Sequence, residues 1–214
     1  MFRWHDCSEG HIILGLFFSL SSLVCLILTT FSTPFIRSFY FLSVPPSTSN
    51  GGTTRFGSFG WCTLVDGGAD AGCTPEHVGY DWMEGGEVIG WLTRTMILFG
   101  IAALFMLLAL ITLVLSLLKV GKFMWNPVYF RTTALLGSLV SILAEIFALI
   151  LWVNARHRFD RHNNTDATAR AKYGAALWTG LIGATLSFLA AAIGGPAYQG
   201  RFMYRAARHQ AYNV

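Results

Sequence analysis

Hydrophobic positions in this chain gather into four near-continuous runs, at 12–31, 96–118, 132–153 and 173–193, instead of the one-sided stripe of a soluble helix or the alternation of a half-buried strand. Each run has about the 20 residues that a helix needs to cross a hydrocarbon core. Backbone in lipid must satisfy its own N–H and C=O groups, so runs of this length predict helices. The pattern predicts an all-α membrane protein, a bundle of four transmembrane helices, with the whole chain, 1–214, as one membrane domain.

Of the polar segments between the runs, the first, 32–95, is the longest and has a pattern of its own. Pro45-Pro46 and the Ser/Thr/Gly stretch 47–54 separate two strand-like pieces, 39–44 and 55–65, the second carrying Phe56, Phe59 and Trp61. They predict a small antiparallel sheet outside the membrane. Six acidic residues (Asp66, Asp70, Glu76, Asp81, Glu84, Glu87) outnumber Arg37, Arg55 and Arg94 in this loop. Their spacing follows no calcium-loop pattern, so a solvated acidic face is the reading.

Cysteine placement adds a constraint. Cys25 lies inside the first run and Cys7 in the short tail, which leaves Cys62 and Cys73 as the pair sharing one aqueous loop. A disulfide between them is expected; it would close a loop of about a dozen residues and contribute about 3 kcal/mol on the chain-entropy account. Two free thiols are the alternative, disfavoured outside the cytosol. Cys7 is either palmitoylated or a free thiol.

Composition excludes other classes. With 54% hydrophobic and 12% charged residues, the chain is too apolar for a small soluble globule. The net charge of +4 comes from fifteen Lys and Arg scattered over every loop, not from a stripe, so no nucleic-acid partner is expected. Lys119, Lys122, Arg201, Arg205 and Arg208 read as neighbours of lipid head groups. The bilayer itself is the first partner.

The first run exceeds the h-region of a signal peptide and no small-residue cleavage site follows it, so a retained span is expected. Seven basic residues lie in the tails and second loop against eight in the first and third loops, which leaves the positive-inside rule undecided. The cysteine pair and the sequon at Asn163-Asn164-Thr165 both suit an oxidising, lumenal side. Both termini are therefore expected in the cytosol, with Asn163 a candidate glycosylation site.

Inside the spans, Gly180, Gly183 and Ala184, and Gly137 with Ser141, form small faces for close packing, within the bundle or against a partner. Glu145 sits near the middle of the third span, where a carboxylate costs about 2.5–3.5 kcal/mol on the insertion scale. One reading is a protonated carboxyl hydrogen-bonded to a neighbour such as Thr112 or Ser187. The other is a contact for a charged group on a partner helix, or a proton-responsive switch.

His157, His162 and Asp160 suggest a metal site, but Arg156, Arg158 and Arg161 interleave with them and would repel a cation, so the stretch reads as a solvated basic loop. No nucleophile elbow, phosphate-binding glycine loop or spaced acid–base pair occurs. Neither enzyme activity nor a cofactor or metal is expected.

The first-loop motifs carry a resemblance. The segment Ser32-Thr33-Pro34-Phe35-Ile36-Arg37, then Arg55-Phe56-Gly57-Ser58-Phe59-Gly60-Trp61-Cys62, then Cys73 and Val78-Gly79-Tyr80, resembles the fungal SUR7/PalI family of claudin-like four-span membrane proteins. Its motif positions here are Pro34, Gly57, Gly60, Trp61, Gly79 and Tyr80. More distantly the chain is similar to animal claudins, in which an Arg stands at the entry to the second helix, the place of Arg94. Trp61 directly before Cys62 departs from the claudin pattern, so junctional pore function is not carried over.

The resemblance implies a claudin-like fold and a non-catalytic plasma-membrane protein. Such a protein would organise membrane domains with eisosome components, or support assembly and surface localisation of a seven-helix ambient-pH sensor, as an accessory or a homo-oligomer. A claudin-like pore or a structural protein of the cell wall and eisosome is the alternative.

Overall fold

The computed structural model describes residues 8–45, 52–64, 70–80, 88–117, 127–162 and 170–193. Four long helices, α1 (Ser8–Thr30), α3 (Ile97–Leu117), α4 (Pro127–His162) and α5 (Ala175–Ile193), are each long and apolar enough to cross a membrane. A single turn, α2 (Gly90–Arg94), leads into α3. Among the described residues there are also five short strands, β1 (Leu42–Val44), β2 (Thr53–Phe56), β3 (Trp61–Leu64), β4 (Asp70–Cys73) and β5 (Lys172–Tyr173).

The helices run up, down, up and down around a ring in which α1 touches α3 and α5, and α4 touches the same two from the far side. Large apolar side chains such as Leu104, Leu139, Phe17 and Phe188 point outward, as expected where lipid and not water surrounds the bundle. Small residues line the seams. A Cβ on Gly183 would come within 3.1 Å of Cys25 on α1, and one on Gly137 within 3.0 Å of the Met106 sulfur on α3. Both small faces serve packing inside the bundle.

Exposed aromatics mark two levels. Tyr129 lies near the start of α4; Phe31 and Trp178 lie near the opposite end of the bundle. Glu145 faces Gly180 in the antiparallel α4–α5 pair, so Trp178 stands level with about residue 147 of α4. From residue 129 to 147 a helix rises about 27 Å, and exposed Ile150 and Val153 carry the apolar surface of α4 beyond that level.

Helix α4 departs from expectation. Its 36 residues span about 54 Å, and it continues as regular helix through the stretch that read as a solvated basic loop. Hydropathy ends near Val153, but helical periodicity does not: Ala148, Trp152, Ala155 and Phe159 keep one buried face, and Arg156 pairs with Asp160 one turn on, at 3.5 Å. The protruding part of α4 forms a post against which the sheet packs.

The sheet is antiparallel, in the order β4-β3-β2-β1-β5. The second strand-like piece is two strands, not one, because the chain reverses between Gly57 and Gly60, whose backbones bond at 2.9 Å. A Cβ on Gly57 would land on the Thr33 carbonyl, so the close approach requires glycine. Strand β5 comes from the connection between α4 and α5 and pairs with β1. Leu42 and Phe56 are buried on the sheet face toward α4, where Phe41 stacks on Trp152 at 5.6 Å and Phe56 meets Trp152 and Phe159 at 5.9 and 5.8 Å.

Candidate functional site

The loop motif converges where the sheet meets the membrane. Just past α1, Ser32 Oγ accepts a bond from the Ser58 amide at 3.0 Å, and Ser58 Oγ donates to the Thr29 carbonyl at 2.9 Å. Thr33 donates its hydroxyl to the Phe39 carbonyl at 2.8 Å, and Pro34, behind a cis peptide, lies 3.5 Å from where a Cβ on Gly60 would stand. The end of the helix is thereby tied to the β2–β3 turn through buried hydroxyls, which would be costly to leave unpaired.

Tyr80 is the second tie. Its side chain is fully buried, and its hydroxyl donates to the Gly57 carbonyl at 2.8 Å. Its own carbonyl accepts from Thr93 Oγ1 at 3.0 Å, which joins the turn to α2. Burial pushes the Tyr80 phenol above its ordinary range. Gly79 precedes it with φ +75°, a conformation that glycine adopts freely, and a Cβ there would collide with the Arg94 side chain. Gly57, Gly79, Tyr80 and Arg94 thus act together, as a clasp between loop and second span.

The third tie is covalent. Cys62 and Cys73 face each other across β3 and β4 and are bonded, as expected. Trp61, beside Cys62, has its amide bonded to Thr74 Oγ1 at 3.0 Å and packs at the edge of the core. Disulfide, clasp and hydroxyl lock brace a rigid cap over one end of the bundle.

Glu145 lies inside the bundle, 4% exposed, against Gly180 of α5, a position that Thr29 of α1 and Phe99 of α3 also border. The expected partners are engaged elsewhere: Thr112 donates to the Ala109 carbonyl at 2.7 Å, and Ser187 bonds to Ser141 and to the Ala184 carbonyl. Among the described residues, neither carboxyl oxygen of Glu145 has a hydrogen-bond partner. Gly180 leaves the room that the carboxyl occupies, since a Cβ there would stand 2.5 Å from Oε2.

Asp160 is taken up by Arg156 and by the Ala171 amide at 3.0 Å, while Arg156 also covers the Tyr173 ring at 4.6 Å. Among the described residues, no group of three His, Cys, Asp or Glu is placed to hold a metal. Asn163, Cys7, and Asp66, Asp81, Glu84 and Glu87 of the first loop lie outside the described residues.

The residues from 11 to 190 match the SUR7/PalI family. The chain belongs to that family. This SUR7/PalI protein is a multi-pass membrane protein with a claudin-like four-span architecture, and the family is one of non-enzymatic membrane proteins. No curated protein is similar enough to count as a match. In this SUR7/PalI chain the family match takes in all but the first three residues of α1, the cap, and all but the last three residues of α5.

Several elements of the site carried little signal in the sequence. Ser32, Ser58 and Thr93 are small hydroxyl residues with no distinctive spacing, and β5 is two residues long. Gly174 gives the one hint of that crossing, because a Cβ there would overlap Tyr40.

Proposed function

We propose that this protein is a non-catalytic accessory of the plasma membrane, which organises a membrane domain or supports assembly and surface localisation of a pH-sensing receptor complex. The observation that carries the reading is the braced cap on an otherwise lipid-facing bundle: three ties hold a preorganised surface at a set height above the membrane, the form suited to docking other membrane proteins. In this reading both termini are cytosolic and the cap is extracellular, where its disulfide persists. The partners are a seven-helix pH sensor or eisosome components, and the protein acts alone or as a homo-oligomer.

Affinity capture of the intact protein in mild detergent tests this. A co-purifying seven-helix receptor or eisosome component supports the accessory role. Conductance of the purified protein in planar bilayers, with no captured partner, would favour the claudin-like pore instead. Deleting the gene separates the two accessory roles: selective sensitivity to alkaline medium points to the pH pathway, and sensitivity to wall stress to domain organisation.

A further inference from the structure

Arg94 is a cation on a surface that otherwise meets lipid. Trp91, Arg94, Ile97, Ile101, Leu104 and Leu108 follow one another at intervals of three or four residues, and all are exposed, so they form one outward stripe from α2 along α3. The apolar span on this arm, Gly90–Leu115, includes the arginine.

Its height follows from the residues around Gly180. Glu145 and Phe99 both border that position, and Arg94 lies five residues from Phe99 toward the cap, Trp91 eight. Those steps are about 7 and 12 Å of helix. On α4, Ile150 and Val153 stand five and eight residues beyond Glu145 and are still exposed apolar side chains. Arg94 therefore leaves the backbone at a level where the bundle still presents apolar surface to lipid.

Two observations say what this side chain meets. It is held in place: a Cβ on Gly79 would collide with Arg94 Cγ and come within 3.1 Å of Nε, so the stem lies against Gly79, next to exposed Val78 at the base of the cap. It is also uncompensated. Among the described residues Arg94 takes part in no ion pair or hydrogen bond, and Glu76, exposed three residues before Gly79, does not pair with it. A charge at the edge of hydrocarbon is costly unless an anion meets it.

We propose that Arg94 binds the phosphate of a phospholipid in the cap-side leaflet, with Trp91 at the headgroup and the acyl chains along Ile97, Ile101 and Leu104. A guanidinium fork matches two phosphate oxygens, and a stem already fixed against Gly79 has little freedom left to lose. The Trp91 indole, 63% exposed at the outer end of the stripe, suits the boundary between polar and apolar lipid. Below it, the stripe continues the lipid-facing surface of the bundle. Lipid bound there covers the contact between Gly79 and Arg94, which makes the bilayer a part of the clasp.

The test uses the full chain, disulfide intact, in maltoside micelles, which carry no phosphate. The probe is a phosphatidylglycerol with a diazirine on its headgroup, and cross-linked peptides are mapped by mass spectrometry. It should label the peptide that carries Trp91 and Arg94, and unlabelled phosphatidylglycerol should compete about fivefold better than a digalactosyl lipid of the same acyl chains. Arg94→Gln should cut that labelling about fivefold, with labelling near Tyr129 at the other end of the bundle unchanged. Arg94→Lys should keep most of it, which separates lost charge from a disturbed clasp. Trp91→Ala, which removes an exposed ring and leaves the arginine in place, should weaken it as well. The proposal is overturned if the two competitors are equal, if Arg94→Gln labels normally, or if Arg94→Lys labels no better than Arg94→Gln. It is also overturned if inorganic phosphate displaces the probe as well as the phospholipid does, since the site would then take a free anion, or if the peptide stays unlabelled because a second chain cross-links there.

Discussion

Removing the indole at the junction of post and sheet should release the cap while leaving the bundle standing. Trp152 is fully buried, stacked on Phe41 with ring planes 11° apart, and in contact with Phe56. Truncating a buried Trp to Ala costs about 3–5 kcal/mol, and the aromatic contacts account for about 0.5–1.5 kcal/mol beyond area alone. No hydrogen bond is lost with it, since the indole nitrogen has none among the described residues. Taking about 4 kcal/mol, the open cap becomes about a thousandfold more populated, at about 1.4 kcal/mol per decade.

Hydrogen exchange in detergent micelles reads this directly at the amides of Phe41 and Gly174, which bond to the Phe56 and Phe41 carbonyls at 2.8 Å. Trp152→Ala should lose close to three decades of protection at both, with amides in the middle of α3 unchanged. Leu139→Ala, on the lipid-facing side of the same helix, is the control. Equal protection in the two variants would refute the claim that α4 holds the sheet.

Replacing Cys62 with Ser should cost the cap about 3 kcal/mol, seen as protease cleavage within 52–80 that adding reductant to the native protein reproduces. Tyr80→Phe keeps the ring but strips the Gly57 carbonyl of its donor, and should cost about 1–3 kcal/mol in cap exchange protection. Because burial raises the Tyr80 phenol, its contribution is fully present below the ordinary tyrosine value of about 10 and is lost as pH rises above it; cap stability of the native protein should therefore fall there by up to about 1.4 kcal/mol per pH unit more steeply than that of Tyr80→Phe. Gly180→Ala places a methyl on the Glu145 carboxyl and should destabilise the bundle in detergent by about 1–3 kcal/mol. Most of that loss should vanish when Glu145→Ala is the background, and additive effects would show that the two do not meet.

The four spans were legible because a helix in lipid needs only length and hydropathy to declare itself, and the cysteine pair because one aqueous loop held both. The post was not, since Asn154, Arg156, His157, Arg158 and Asp160 end the apolar run while Ala155 and Phe159 silently keep the buried face going. Strand β5 was hidden for a related reason: Lys172 and Tyr173 become a strand only because β1 offers an unpaired edge. The motif residues could be picked out, but not that Tyr80 reaches Gly57 or that Gly79 leaves room for Arg94, since both depend on segments brought together from across the loop. Glu145 stood out, yet its surroundings depended on which small residue of α5 came opposite, and that was Gly180, not Ser187.

The pairing of β1 with β5 sets an order on biogenesis. Leu42 leaves the ribosome about 130 residues before its partner Tyr173, so during translation the sheet waits with one margin bare until the third span has been inserted and the connection after it has emerged. A nascent chain halted between the third and fourth spans therefore displays an unfinished edge to the folding machinery of that compartment, and the completed molecule does not.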